Sequence, residues 1–271
     1  MIKLAIPIVT VVSGTKGGTG KTTIAVNLAV LASYRLRASS KYPVILIDLG
    51  VDNGTASKIL LGGVFNVQYT IVDYLTGVIS NPLYAFYVKS WRVDNDEFRV
   101  VFSIPGSMRD RAIIGFRIRG IIDAVANALS PRLVIVDTPS IGFDRSILAS
   151  VLSASTHIIP VATVDHSSVE SLRGIVEFAK LVNPGLKVLK PILNMYNPKY
   201  PKDPTTGREW LAIVKEAVGI EPFTVSYDEL FYIVRQAMEV ESIKLSVNES
   251  PALMDINRYF NEVLLNSLNL T

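Results

Sequence analysis

Apolar runs of strand length alternate along this chain with longer stretches of helical spacing, and that alternation restricts the possible folds more than any other feature. The runs fall at residues 6–12, 44–48, 100–104, 133–137, 157–161 and 188–194, each bounded by turn-forming residues. Such unbroken Val, Ile and Leu content, without polar alternation, is the pattern of strands covered on both faces. Between them, residues 21–36, 120–129, 146–154, 167–181 and 208–218 carry helical spacing. Strands and helices in turn predict an α/β fold, a doubly wound, mostly parallel sheet flanked by helices. In the first helix Ile24, Leu28 and Leu31 share a face, while Ala25, Val26, Ala29, Val30 and Ala32 leave almost no polar side, so this helix is expected deep in the molecule. Residues 84–101 place aromatic and β-branched side chains on both sides of Asp94-Asn95-Asp96, the pattern of a hairpin or of paired strand ends.

At 271 residues and 49% hydrophobic content the chain can bury a substantial core, and one domain over 1–271 is expected. No apolar run approaches the roughly 18 residues of a membrane-spanning helix. A strand-like segment opens the chain in place of a charged leader, so the reading is soluble and cytoplasmic. Cysteine is absent, which excludes disulfides, thiolate zinc sites and cysteine-ligated iron–sulfur clusters. A net charge of +3 and a pI near 9.0 are compatible with an anionic partner but do not establish one.

Directly after the first strand, and opening the first helix, stands Lys16-Gly17-Gly18-Thr19-Gly20-Lys21-Thr22-Thr23. Glycines let such a loop curl so that successive backbone N–H groups point inward at phosphate oxygens, and the helix start adds its positive dipole end. In that setting Lys21 reaches the terminal phosphates, Thr22 offers its hydroxyl to Mg²⁺ and Thr23 bonds an α-phosphate oxygen. The ordinary P-loop pattern has glycine where this chain has Thr15, and Lys16 is an addition to it.

This octapeptide resembles the deviant Walker A motif of the ParA/MinD family of P-loop ATPases, which segregate plasmids and chromosomes or position division machinery. The resemblance runs from about residue 6 to residue 245 and implies the P-loop NTPase fold, with ATP and Mg²⁺ as cofactors. It makes Lys16 the signature lysine that crosses an ATP-dependent homodimer to the partner's nucleotide. The nucleotide contacts it implies are Thr15, Lys16, Gly17, Gly18, Thr19, Gly20, Lys21, Thr22 and Thr23.

The run at 133–137 ends in Asp137, placed to hold a Mg²⁺-bound water beside Thr22 and resembling a Walker B element; a helix cap is the plainer reading of the same carboxylate. The second strand ends in Asp48-Leu49-Gly50-Val51-Asp52, which resembles the family's Asp-x-Asp segment except that Gly50 replaces the aspartate credited with orienting the attacking water. Asp52 moving in as a substitute, very slow hydrolysis, and a substitution that traps the ATP state all remain open. Impaired hydrolysis is the favoured expectation, with Lys16, Lys21, Asp48 and Asp52 as the catalytic set. On the base side, the resemblance carries an adenine contact to Asn194 and a flanking role to Tyr227, each equally readable as a turn or cap.

Arg109, Arg111, Arg117 and Arg119, and then Lys187, Lys190, Lys199, Lys202, Arg208 and Lys215, form two basic groups that a fold could bring onto one face. By the resemblance they would bind DNA without sequence preference, although a solvated surface explains them too. No DNA-reading domain is expected before the loop, so site-specific operator binding is not the expectation. The segment 251–270 spaces Leu253, Ile256, Phe260, Val263 and Leu264 as an amphipathic helix, but Asp255 and Glu262 against Arg258 suit body packing better than anionic lipid. His157, His166, Trp91 and Trp210 are assigned no chemistry. The function expected is a nucleoid-associated partition ATPase acting with a ParB-like centromere-binding adaptor; a MinD-like membrane role and a non-hydrolysing ATP-clamped scaffold are the alternatives.

Overall fold

A computed structural model describes residues 6–14, 17–50, 54–63, 66–93, 95–107, 118–139 and 145–270. The chain runs β1 (Ile8–Val12), α1 (Lys21–Arg35), β2 (Val44–Asp48), α2 (Thr55–Leu61), α3 (Ile71–Leu75), a 3₁₀ turn (Pro82–Ala85), β3 (Phe86–Val93), β4 (Asp96–Ser103), α4 (Ile118–Leu129), β5 (Leu133–Asp137) and α5 (Arg145–Ala154). It continues through β6 (His157–Thr163), α6 (His166–Val182), β7 (Lys187–Val188), β8 (Ile192–Tyr196), α7 (Trp210–Val218), β9 (Phe223–Ser226), α8 (Glu229–Gln236), α9 (Glu241–Lys244) and α10 (Pro251–Tyr259). A π-helical turn (Phe260–Leu265) and α11 (Asn266–Leu268) close it.

The strands form one sheet in the order β3-β4-β2-β5-β1-β6-β8-β9, with β7 beside β6. The β3–β4 hairpin is antiparallel, and the other strand pairs among the described residues are parallel. Period-two alternation sorts each strand between two helix layers. Val9, Val11, Leu46, Ile135 and Val161 face α1, α2 and α10, while Ile45, Ile47, Val134 and Val136 face α3, α4 and α5, and Ile158 and Ala162 face α6 and α7. Both faces are covered, which is why the strand sequences lack polar alternation.

Helix α1 lies deep, with Ile24 to Ala29 entirely within the core. The C-terminal segment packs on the same layer: Leu253, Ile256, Phe260, Val263 and Leu264 are buried, and the hydroxyl of buried Tyr259 donates to Lys190 O at 2.8 Å. Among the described residues, no helix is long and apolar enough to cross a membrane.

Element boundaries depart from the sequence pattern where a tertiary hydrogen bond or a proline intervenes. β1 starts at Ile8 because Pro7 has no N–H to give the ladder; its carbonyl accepts from Val134 N at 3.0 Å. The run 188–194 splits into β7 and β8 around Pro191, whose carbonyl accepts from Phe223 N at 2.8 Å. Helix α7 begins at Trp210, two residues late, because Arg208 O accepts from Asp203 N at 2.8 Å and Glu209 bridges Lys202.

Candidate nucleotide-binding site

The loop between β1 and α1 opens at the carboxyl end of a central parallel strand, the place where open α/β sheets form ligand crevices. Two glycines are required there. At Gly14 a Cβ would lie 1.8 Å from Ser171 Oγ, so the backbone leaves β1 pressed against α6. Gly20 is left-handed (φ +87°), and a Cβ there would lie 2.1 Å from Asn194 Nδ2. Thr15, Lys16 and Asp52 lie outside the described residues.

Lys21 begins α1 and is only 8% exposed. Burial lowers its pKa, and the nearby Asp137 carboxylate acts in the opposite direction. Two buried oxygens at this end of the sheet have no hydrogen-bond partner among the described residues: Thr19 Oγ1 and Asp137 Oδ1. An unsatisfied buried polar atom costs about 1–3 kcal/mol, so each of these oxygens is suited to accept a bond or a cation from a ligand.

Asp48 and Asp137 stand opposite each other in the β2–β5 register, both almost fully buried, yet their surroundings differ. Asp48 Oδ1 accepts from Gly50 N (2.8 Å), and Oδ2 accepts from Ser57 N and Ser57 Oγ (both 2.9 Å). Ser57 N belongs to the first turn of α2, whose N-cap Gly54 has no side chain, so Asp48 caps that helix from the neighbouring strand. Burial raises the Asp48 pKa and these bonds oppose the rise. Asp48 is thus an anchor for the Gly50–Ser57 connection, with both oxygens engaged in it; this arrangement lends no support to a catalytic role for Asp48.

Asp137 keeps one oxygen free, and its pKa is pushed up to about 7 by burial first and by the Asp48 charge second; the Thr22 hydroxyl, Lys21 and Arg235 pull the other way. A buried carboxyl with an orphaned oxygen beside a threonine hydroxyl suits a hard cation, and Thr22 and Asp137 would hold Mg²⁺ there, directly or through water. Once bound, the ion would neutralise phosphate charge and keep Asp137 ionised.

One pH dependence follows. The folded carboxyl titrates near 7 against an ordinary 3.8. Between those values the metal-free native state retains a proton that the unfolded chain has lost, so its stability falls as pH rises from about 4 through 7. Asp137→Asn should remove that slope and raise metal-free stability at pH 8 by on the order of 2–4 kcal/mol. Urea melts of both proteins at pH 5 and pH 8 check this, and parallel pH dependences would refute it.

Beyond the phosphate end lies a cavity of about 300 Å³ lined by Thr23, Asn194, Tyr227, Asp228, Phe231 and Arg235 among others. Asn194 is buried and donates from Nδ2 to Thr19 O at 2.9 Å, tying β8 to the loop. A register shift between Leu193 and Tyr196, with Met195 at φ +57°, bends the strand end around it. Tyr227 also lines the cavity and is 56% exposed.

Residues 10–228 match the CobQ/CobB/MinD/ParA nucleotide-binding domain. The chain belongs to this family. No curated protein sequence matches it. Solved structures do: MinD of Pyrococcus horikoshii OT3 complexed with Mg-ADP superposes with a TM-score of 0.70 at 19% identity, covering 97% of this chain and 98% of that one. The Cyanothece McdA(D38A)–ATP complex gives 0.66 at 18% identity, covering 98% and 97%. A plasmid partition protein assigned in Borrelia burgdorferi B31 and bound to AMPPNP gives 0.66 at 19% identity, covering 97% and 99%. At such identities the superpositions establish the MinD/ParA P-loop fold, and the family is one of ATPases.

The first basic group is described only at Arg119. Arg109, Arg111 and Arg117 lie outside the described residues, and Arg119 pairs with Asp123 on α4 at 2.9 Å. On α7 and the loop before it, Arg208 pairs with Glu216, and Lys215 with Glu221 at 2.7 Å. Helices α4, α5, α6 and α7 pack as consecutive neighbours. His166, assigned no chemistry, bonds Asp203 Oδ2 at 2.9 Å with its ring 5.3 Å from that of Trp210, fastening the 197–209 loop to α6.

The residues that sequence reasoning missed, Arg235, Glu241 and Asn27, form one circuit with Thr23, with Asn27 and Glu241 buried and Arg235 half-buried. Arg235 Nη2 donates to Thr23 Oγ1 at 2.8 Å, and Nε and Nη2 donate to Glu241 Oε1 at 3.1 and 2.6 Å. Glu241 Oε2 accepts from Asn27 Nδ2 at 2.8 Å, and that same nitrogen donates to Thr23 O at 2.9 Å. The available signal was Asn27, an amide in the middle of a helix that otherwise buries aliphatic side chains.

Proposed function

We propose that this chain is a single ATPase domain that binds Mg-ATP between the β1–α1 loop, Asp137 and the Asn194 cavity, and that it dimerises around the nucleotide. The observation that carries this is the arrangement at the loop: Lys21 is buried at the start of α1, Thr19 Oγ1 and Asp137 Oδ1 are buried without a partner among the described residues, and Thr23 in the first turn of α1 lines a cavity of about 300 Å³. Lys21 binds the terminal phosphates, Thr22 and Asp137 hold the cation, Thr23 bonds the α-phosphate, and Asn194 and Tyr227 flank the base. Lys16 reaches the partner copy's nucleotide. The solved complexes of MinD with Mg-ADP, of McdA(D38A) with ATP and of the Borrelia burgdorferi protein with AMPPNP support a nucleotide in this place.

In the same reading the ATP dimer binds duplex DNA without sequence preference, associates with the nucleoid and partitions DNA with a ParB-like adaptor. Support comes from the mildly basic composition and from the partition relative, and a dimer doubles whatever basic surface each copy presents. The membrane alternative is weakened because the apolar side of the C-terminal segment is buried in the core. A clamped scaffold with negligible turnover is the second reading, and it rests on Gly50, which has no side chain to orient water.

The test is sedimentation with ATP and Mg²⁺ in the presence of duplex DNA or anionic liposomes. ATP-dependent retention on DNA that falls steeply with salt is expected. Retention on liposomes alone, or DNA binding indifferent to ATP, refutes the partition reading.

A further inference from the structure

Arg235 occupies a place that phosphate chemistry makes consequential. Its guanidinium borders the cavity, donates to the hydroxyl of Thr23, and is near enough to Asp137 to act on that carboxylate's charge. Thr23 Oγ1 has one hydrogen to give. With Arg235 donating into the oxygen, that hydrogen is left for an acceptor on the ligand side, and the donated bond polarises it. A fixed positive charge thus stands one hydrogen bond behind the group that meets the α-phosphate.

The arginine is held there by design of the surrounding contacts. Glu241 is 0% exposed, and a carboxylate so buried demands a partner. Two guanidinium nitrogens bond one of its oxygens and Asn27 Nδ2 the other. Asn27 Oδ1 in turn accepts from Ser242 N at 2.8 Å, so the end of α8 and the start of α9 are both fastened to α1. The ring from Thr23 through Arg235, Glu241 and Asn27 returns to the Thr23 backbone. No side chain in it can shift without disturbing another.

We propose that Arg235 is a positioning residue for nucleotide binding, which orients and charges the Thr23 hydroxyl toward the α-phosphate and couples occupancy of the site to the α8–α9 segment. This rests on the Mg-ATP reading above. The α-phosphate is common to ATP and ADP, so Arg235 contributes equally to both, whereas a contact at the terminal phosphate would favour ATP.

Removing Arg235 alone leaves Glu241 buried and unpaired, which endangers folding. The neutral double variant Arg235→Gln/Glu241→Gln keeps hydrogen-bonding groups in both places. Calorimetric Kd values for Mg-ATP and Mg-ADP are compared between wild type and this variant, each with and without Thr23→Val. The expected result is an equal weakening of both nucleotides by about 10- to 100-fold. Thr23→Val should add less than its own separate effect, and the nucleotide-induced rise in melting temperature should shrink while the nucleotide-free midpoint stays near wild type. A double variant that binds both nucleotides as wild type does, or loses ATP but retains ADP, or combines additively with Thr23→Val, overturns the proposal while leaving the Mg-ATP reading intact. Wild-type protein that binds neither nucleotide overturns both.

Discussion

Lys21→Ala is expected to weaken Mg-ATP binding by on the order of 100- to 1,000-fold, with little loss of metal-free stability. The asymmetry follows from where the lysine sits. In the protein alone Lys21 is only 8% exposed, so burial disfavours the charged form and only Asp137 favours it. Truncation removes that desolvation cost together with the attraction to Asp137, and the two largely offset each other. With a triphosphate present the balance changes, because several anionic oxygens then face the same ammonium in a water-poor cleft, where charge-assisted hydrogen bonds are strongest. Magnesium would still reach Thr22 and Asp137, so residual binding should become more dependent on the metal. Calorimetry with and without Mg²⁺ measures both effects, and an affinity within threefold of wild type would remove the basis for the phosphate site.

How much of this was legible beforehand varies with how local the determining interaction is. The strands could be read because each is buried on both faces and shows it residue by residue, as in Leu133-Val-Ile-Val-Asp137. The hairpin of β3 and β4 could be read because aromatic and β-branched residues flank a polar turn within one short stretch. Ends were less legible. Asp203 N bonding Arg208 O delays α7 by two residues, and the sequence pattern of the helix has no record of that bond.

The candidate site divides in the same way. The loop from Gly17 to Thr23 announces itself because one turn must supply several amides and a cation at fixed spacing. The difference between Asp48 and Asp137, by contrast, could not be read from two strand-terminal aspartates. It arises because α2 lacks a side-chain cap of its own and takes Asp48 for the purpose. Glu241 and Asn27 are 214 residues apart, so only the folded chain places the Arg235 circuit beside Thr23. A polar side chain inside an otherwise aliphatic buried helix is the sequence-level hint that such a circuit exists.

Gly50→Asp is expected to raise ATP turnover from far below one per second by on the order of 100-fold, the scale on which a positioned carboxylate acts on an attacking water. The backbone permits the change, since Gly50 is not in the left-handed region. Space is tight: a Cβ at this position would lie 3.0 Å from Asp48 Oδ1, the oxygen that already accepts from Gly50 N. Asp48 must therefore yield by a few tenths of an ångström, and its bonds to Ser57 restrain how far it can. Electrostatics add a second cost, because a third carboxyl would join Asp48 and Asp137, whose mutual repulsion already raises the Asp137 pKa. Bound Mg²⁺ offsets that repulsion, so the gain should appear at saturating magnesium and fade at low concentration. Single-turnover hydrolysis decides the matter. A variant that binds Mg-ATP as tightly as wild type yet hydrolyses it no faster would show that the missing carboxylate at position 50 is not what limits hydrolysis.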